Sequence, residues 1–363
     1  MNKIPYSPDE LKVVGEFLNT TVSFVPHTYK YNTPISVLEN FRAAVNGGEQ
    51  LWMPTSSDVL NIESRVNLDH VARAEIRDLG PAQPDEEKGG PDMFGIEWVF
   101  VPQVGGSMVK PGAPVLEDAN DWPNVIKFPD VEAMDWASMA ELNAPFKNED
   151  RVIGCCFQNG MFERLISFMD FEGAAMAIID EEQVDAVKAL CDAILERVYF
   201  PYLENVKKYL PGITKITLHD DWGSQRAPFF SLNTARDVFV PVLKKFTDKC
   251  KELGYLVELH SCGHTEMNVP AYIEAGFQTW NGMSMNDKRA LFEKYGDQFI
   301  FGVDAPDVAG DMNASKEDLE AAAKEFCEFY IRDGKCHVVA NCMRKNPYFI
   351  ECVYKISREM LNP

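Results

Sequence analysis

Short β-branched or aromatic runs recur along this chain between longer amphipathic segments, and that alternation constrains the fold more than any other feature. Eight such runs stand out, at residues 50–53, 97–101, 152–157, 215–219, 255–260, 278–281, 299–303 and 337–340. Between several of them, at 181–209, 234–253 and 315–332, apolar residues recur at helical spacing with charge on the opposite face. Strands alternating with such helices call for a parallel sheet with right-handed crossovers, and eight is the number that closes a parallel barrel. The expectation is a single α/β domain over residues 1–363, a (β/α)8 TIM barrel, with an N-terminal helical extension over residues 1–48. Two long connections, 54–94 and 105–135, are expected at its C-terminal face. The first reads as a helix followed by a polar loop.

Composition narrows the partners. Against 35 Lys and Arg stand 56 Asp and Glu, a formal charge of −21, and no basic cluster interrupts the acidic balance. Such a surface repels phosphate backbones and anionic lipid heads, which argues against nucleic acid and membranes. No apolar run reaches the length of a signal peptide or a membrane span, so a cytoplasmic protein is expected. The nine cysteines, odd in number and scattered, do not form a disulfide framework. In a reducing compartment they remain free to bind metal.

Polar residues gather where the proposed strands end, the face on which barrels carry their active sites. Gln158 follows the third run, His219, Asp220 and Asp221 the fourth, His260 and Cys262 the fifth, Asn281 the sixth, Asp304 the seventh and Cys342 the eighth. His260 and Cys262 are two residues apart, so on an extended backbone both point to one face, and Gly263 permits a sharp turn after them. With Cys342 they make a His/Cys₂ set that leaves one tetrahedral position open, as catalytic zinc does, and thiolate favours zinc over magnesium or calcium. His264 reads as a loop residue, and Cys336 and His337 open the last strand at the opposite end of the barrel. His219, Asp220 and Asp221 are candidate acids or bases, although one of the two aspartates suits a helix cap equally well. Glu163 is a further candidate, as a ligand, a proton carrier or a salt-bridge partner. Gln225, Asn281 and Asp304 are candidate substrate contacts, and Asp58 reads as a cap. There is no GxxxxGK[ST] or GxGxxG loop and no GxSxG elbow, so phosphoryl and hydride transfer lack support.

The segments DMFGIEWVF, PGAPVLED, LHDDWGSQRAPFFS, ELHSCGH and FGVDAP, in that order from about residue 90 onward, resemble the uroporphyrinogen-decarboxylase-like superfamily. That resemblance implies the (β/α)8 fold and two branches, a haem-pathway decarboxylase and the cobamide-dependent methyltransferases of anaerobes. The decarboxylase grips a polycarboxylate with an Arg-rich N-terminal motif, whereas here only Lys3, Lys12, Lys30 and Arg42 precede Trp52. The methyltransferase branch carries an HxC followed much later by Cys, matched by His260, Cys262 and Cys342. What this implies is a zinc ion and methyl transfer between a small methylated substrate, such as a methoxylated aromatic, and a corrinoid protein at the barrel mouth. The alternative direction is from methylcorrinoid to a thiol. The cobamide belongs on a separate protein, because no DxHxxG motif occurs in this chain. A homodimer is also open to it.

Overall fold

The structure, a computed structural model, describes residues 4–22, 29–103 and 105–362. Its centre is a curled sheet of seven parallel strands, in the spatial order Val59–Ile62, Val152–Phe157, Lys215–His219, Leu256–Ser261, Thr279–Gly282, Ile300–Asp304 and Val338–Asn341. Helices cover its outside, among them Met161–Ala177, Val184–Ile194, Phe200–Tyr209, Val240–Glu252, Lys316–Tyr330 and Pro347–Leu361. Sequential strands are spatial neighbours throughout, as parallel sheets with helical crossovers require. Just before the first strand the chain touches the last one: Thr55 bridges Ala340, whose N–H donates to the Pro54 carbonyl at 2.8 Å. The sheet therefore curls round on itself in a TIM-like way, but with seven strands rather than a closed eight.

Two of the eight expected strands lie elsewhere, for identifiable reasons. Residues 50–53 form no ladder because side chains take their backbone groups. Asn40 Oδ1 accepts from Leu51 N–H at 2.7 Å and Trp52 N–H at 3.2 Å, its Nδ2 donates to Trp52 O at 3.0 Å, and Met53 N–H donates to Ser357 Oγ at 3.0 Å. The first strand is instead Val59–Ile62, inside a stretch expected to be helix and loop. Glu97–Val101 is a strand, but it sits in the middle of a separate antiparallel sheet with Gly89–Pro91 and Gly106–Val109. Its short, Gly-containing connections permit hairpins and no crossover. In the extension expected to be helical, the described residues form one α-helix, Val37–Val45, and an antiparallel pair, Val13–Glu16 with Tyr29–Tyr31.

Because side chains alternate across a strand, every second residue of the seven strands points into the lumen. Those residues fall in three levels. Val59, Val152, Leu256 and Val339 form an apolar floor against Phe41 of helix Val37–Val45, which closes the N-terminal end. Above it lie Asn61, Lys215, Thr217, Glu258 and Thr279, and above those His219, His260, Cys262, Asn281 and Asn341. Barrels usually fill this space with branched side chains. Here a cavity of about 460 Å³ remains. Gly154 makes room for two of these side chains, since a Cβ there would lie 2.2 Å from Asn61 Oδ1 and 3.2 Å from Lys215 Cε. The middle level is held by charge: Lys215 Nζ lies 2.5 Å from Glu258 Oε1, which also accepts from Thr217 at 3.0 Å, while Glu258 Oε2 accepts from Thr279 at 3.2 Å.

The floor yields a test. Phe41 is 1% exposed, and truncating a buried Phe to Ala costs about 3–5 kcal/mol. Phe41→Ala is expected to lower the unfolding free energy by that order in denaturant titration.

Candidate metal centre at the mouth of the lumen

Four potential ligands converge at the upper level. One ligand atom each from His219, Asp221, His260 and Cys262 lies within 4.8 Å of all the others, and these are the residues that could hold a metal ion. His219 Nε2 is 3.8 Å from Asp221 Oδ1, Cys262 Sγ is 3.5 Å from His260 Nε2, and the two rings stand 4.9 Å apart, centre to centre. His219 ends the third strand and pairs in register with His260 of the fourth, so adjacent parallel strands bring the two imidazoles side by side. Cys262 follows His260 with the same facing. Its N–H donates to Asp221 Oδ1 at 2.6 Å, which locks the two loops together. Gly263 makes the turn at φ +89°, where a Cβ would meet the Gly223 carbonyl oxygen at 2.1 Å.

The outer nitrogen of the His219 ring is occupied: Nδ1 is 2.8 Å from Glu163 Oε2, and Glu163 Oε1 accepts from Arg73 Nη1 at 2.7 Å. Tying one nitrogen fixes the ring and leaves the other for a metal, as partners of metal-bound histidines do. Burial disfavours a charged Glu163, but Arg73 and His219 outweigh it and bring its pKa down to about 2. Burial likewise opposes a charged His219, and Glu163 with Asp221 overrides it, raising that pKa well above the ordinary value. His260 goes the other way, to about 4, through burial and the neighbouring His219. It stays a neutral imidazole, the form that ligates. With a soft thiol beside two imidazoles and a carboxylate, the donor set fits zinc.

Strand parity explains why two of the expected residues, Cys342 and Asp220, stay outside. Cys342 does not join the group, which corrects the ligand set read from sequence. On the seventh strand the lumen-facing positions are Val339, Asn341 and Met343, so Cys342 points outward into the core and is 2% exposed. Burial and the Asp58 charge push its thiol up to about 12. Asp220 also has the wrong parity. It is buried and accepts from Phe162 N–H at 3.2 Å and Glu163 N–H at 3.0 Å, capping helix Met161–Ala177. Asp221 is the aspartate that faces the group. Gln225 is exposed in the loop, away from the lumen. Asn281 and Gln158 line the cavity, while Asp304 bonds Lys288 at 2.9 Å and Asn341 at 3.2 Å. His264 stays in its loop, against Arg226 O and Glu266. Asp58 caps as expected, accepting from Thr55 N–H at 2.8 Å.

Sequence reasoning missed Asn61, Glu63, Arg73, Arg77, Lys215 and Glu258, all of which line the cavity. Counting back in steps of two from His219 and His260 reaches Lys215 and Glu258. Arg73 and Arg77 carried no such signal, because they come from a segment that folds beside the first strand, where Glu63 and Arg77 exchange backbone hydrogen bonds at 2.9 Å.

No protein-family model matches the sequence, and no curated protein matches it. Among solved structures the chain resembles a methyltransferase from Methanosarcina mazei, with a TM-score of 0.55 and 15% identity, over 89% of this chain and 98% of that one. At that identity what is shared is the fold. An IOLI protein with a bound zinc atom aligns over 64% of this chain and 80% of its own at 14% identity, with a TM-score of 0.29. A 3-keto-D-glucoside 4-epimerase from E. coli aligns over 62% and 83% at 13% identity, with a TM-score of 0.31. Those two superpose too poorly to bear on the site.

The two aspartates are expected to separate experimentally. Asp220→Asn keeps one accepting oxygen and should lose roughly 1 kcal/mol of stability while binding metal normally. Asp221→Asn should unfold much like the native protein in thermal melts and bind metal more weakly. Equal metal affinity in the two variants would contradict this division.

Proposed function

We propose that this protein is a zinc-dependent methyltransferase that moves a methyl group between a small aliphatic substrate and a cobamide carried on a partner protein. The observation that carries the reading is the pair of imidazoles, one of them held by Glu163, that converge on one thiol and one carboxylate at the mouth of a TIM-like lumen. The fold shared with a methyltransferase supports it. When bound, zinc supplies a Lewis acid at the oxygen or sulfur that gives or takes the methyl group. His219, His260, Cys262 and Asp221 would hold it. Glu163 orients His219 and accepts Arg73, so it acts through the ligand. Gln158 and Asn281 face the cavity where the substrate would lie.

The cavity also bears on substrate size. Apart from the two imidazoles, the only aromatic ring among its described lining residues is Phe41, at the floor. A methoxylated aromatic ring finds no stacking partner among these lining residues, which favours a small aliphatic ether or thiol. A polycarboxylate porphyrinogen fits worse still. The lining cations are already engaged: Lys215 with Glu258, Arg73 with Glu163, and Arg77 with Glu63 and Glu75.

For the carrier, the rim offers methionines. Met267, Met283, Met312 and Met343 are all exposed, on the connections that follow the fourth, fifth, sixth and seventh strands. Flexible, polarisable side chains of this kind suit a surface that receives another protein.

Protein purified without chelators should contain about one zinc per chain by elemental analysis. His260→Ala and Cys262→Ser should lose it, Cys342→Ser should keep it, and Glu163→Gln should weaken it by about 10–100-fold. Methylcobalamin with small thiols, and cob(I)alamin with small aliphatic methyl ethers, test the two directions of transfer. Absence of zinc, or no methyl transfer in either direction, would overturn the reading.

A further inference from the structure

The carboxylate that holds His219 is itself held, by a chain of contacts that closes on itself. Glu163 presents Oε2 to His219 Nδ1 at 2.8 Å and accepts from Arg73 Nη1 on Oε1 at 2.7 Å, so both of its oxygens are engaged. Arg73 Nη1 donates also to Asn159 Oδ1 at 3.2 Å, and the guanidinium lies over the ring of Trp98, 5.1 Å from its centroid. Trp98 Nε1 donates to Asp92 Oδ2 at 3.1 Å, and the same oxygen accepts from Arg164 Nη1 at 2.6 Å. Arg164 follows Glu163 in the first turn of helix Met161–Ala177. The circuit from Glu163 through Arg73, Trp98, Asp92 and Arg164 therefore returns to its start. Arg164 Nη2 braces it again, donating at 2.5 Å to Asp69 on the short helix Leu68–Ala72, which ends at Arg73.

Trp98 comes from outside the barrel. It is the buried residue between exposed Glu97 and Val99 on the middle strand of the separate antiparallel sheet. Stability alone does not call for such a circuit: Arg164 and Asp92 are fully buried, and buried ion pairs are often replaced by apolar residues of similar volume without loss. What apolar packing cannot do is fix the direction of a carboxylate. A planar guanidinium stacked on an aromatic face keeps its N–H groups in its own plane, so Trp98 can hold Arg73 while leaving Nη1 aimed at Glu163 and Asn159.

We infer that Arg73 and Trp98 are positioning residues for the metal centre: the antiparallel sheet holds Arg73, Arg73 holds Glu163, and Glu163 sets the ring of His219. The inference rests on the proposed metal site and goes beyond it, by giving a part of the chain outside the barrel a share in that site. Partners of metal-bound histidines tune affinity through orientation, and here the orienting group depends on two further residues. Trp98 carries no charge, and its listed partners are Arg73 and Asp92 rather than a ligand or Glu163. Its loss reaches the metal only if orientation is passed along the circuit. If Arg73 served solely to neutralise Glu163, Trp98 would be dispensable and a lysine in place of Arg73 would do as well.

The test compares the native protein with Trp98→Leu, Trp98→Phe, Arg73→Lys and, as a control, Arg358→Met, which breaks the buried ion pair with Glu10 on the last helix. Each is titrated with zinc against a chelator, loaded with cobalt(II) for its visible spectrum, and examined metal-free by NMR of labelled histidine, the His219 signal being assigned by its loss in His219→Gln. Trp98→Leu and Arg73→Lys should each weaken zinc by at least about fivefold, short of the loss in Glu163→Gln, shift the cobalt bands and move the His219 signal. Trp98→Phe keeps an aromatic face and should stay within about twofold of native affinity. Arg358→Met should lower the melting temperature and leave all three readouts unchanged. Native zinc affinity and cobalt spectrum in both Trp98→Leu and Arg73→Lys would overturn the inference, as would equal losses in Arg358→Met. If Trp98→Leu does not fold, Arg73→Lys decides, because it keeps the charge and loses the planar fork. The His219 signal needs no metal: its displacement in a protein that takes up no zinc would sink the proposed function and leave Arg73 and Trp98 as the residues that set the ring. Normal zinc binding with an unmoved signal would do the reverse.

Discussion

A side chain that points into the lumen of a curled parallel sheet is cut off from bulk water on every side but one, and the rest of this protein follows from that constraint. Apolar residues meet it at the floor, where Phe41, Val152 and Leu256 pack together. Higher up the inward positions carry charge, and each charge needs a partner within reach. Lys215 finds Glu258 on the neighbouring strand, and Glu163 sits between Arg73 and His219. The second arrangement does more than neutralise. It joins three distant segments of the chain and sets the orientation of a ring on which the metal centre depends.

The strand that provides a site residue matters less than the parity of its position. Of the residues singled out on or just after strands, His219, His260, Cys262, Gln158 and Asn281 have the lumen-facing parity and reach the cavity, whereas Asp304, of the same parity, is held at the strand end by Lys288 and Asn341. Those of odd parity, Asp220 and Cys342, are buried in the wall. Asp220 then caps a helix and Cys342 is an ordinary core thiol, although both are chemically equipped for the site.

That rule also measures how much was legible beforehand. Six of the seven strands announced themselves as apolar runs, and the shared facing of His260 and Cys262 was legible because it depends only on local alternation. The expected first strand, 50–53, was invisible as a non-strand, since its backbone is satisfied by Asn40 and Ser357, partners 10 and more residues away in sequence for every bond. The true first strand, Val59–Ile62, is only four residues long and reads as part of a polar stretch. Glu163 and Arg73 could be noticed as charges, but their convergence on His219 requires the tertiary fold.

A chamber stopped at its floor by helix Val37–Val45 has its way in on the same side as the metal centre. Anything small that occupies the lower level must pass the two imidazoles and the thiol on entry and again on departure. A large partner seated over the methionine rim would close that path while it remained. On the proposed function, this geometry implies a sequence of arrivals: the small molecule would take its place first, the macromolecule would seal the doorway, and departure would run in the opposite order. Such a protein would behave as a lock with one gate, and saturation by the larger partner ahead of the smaller one would work against turnover.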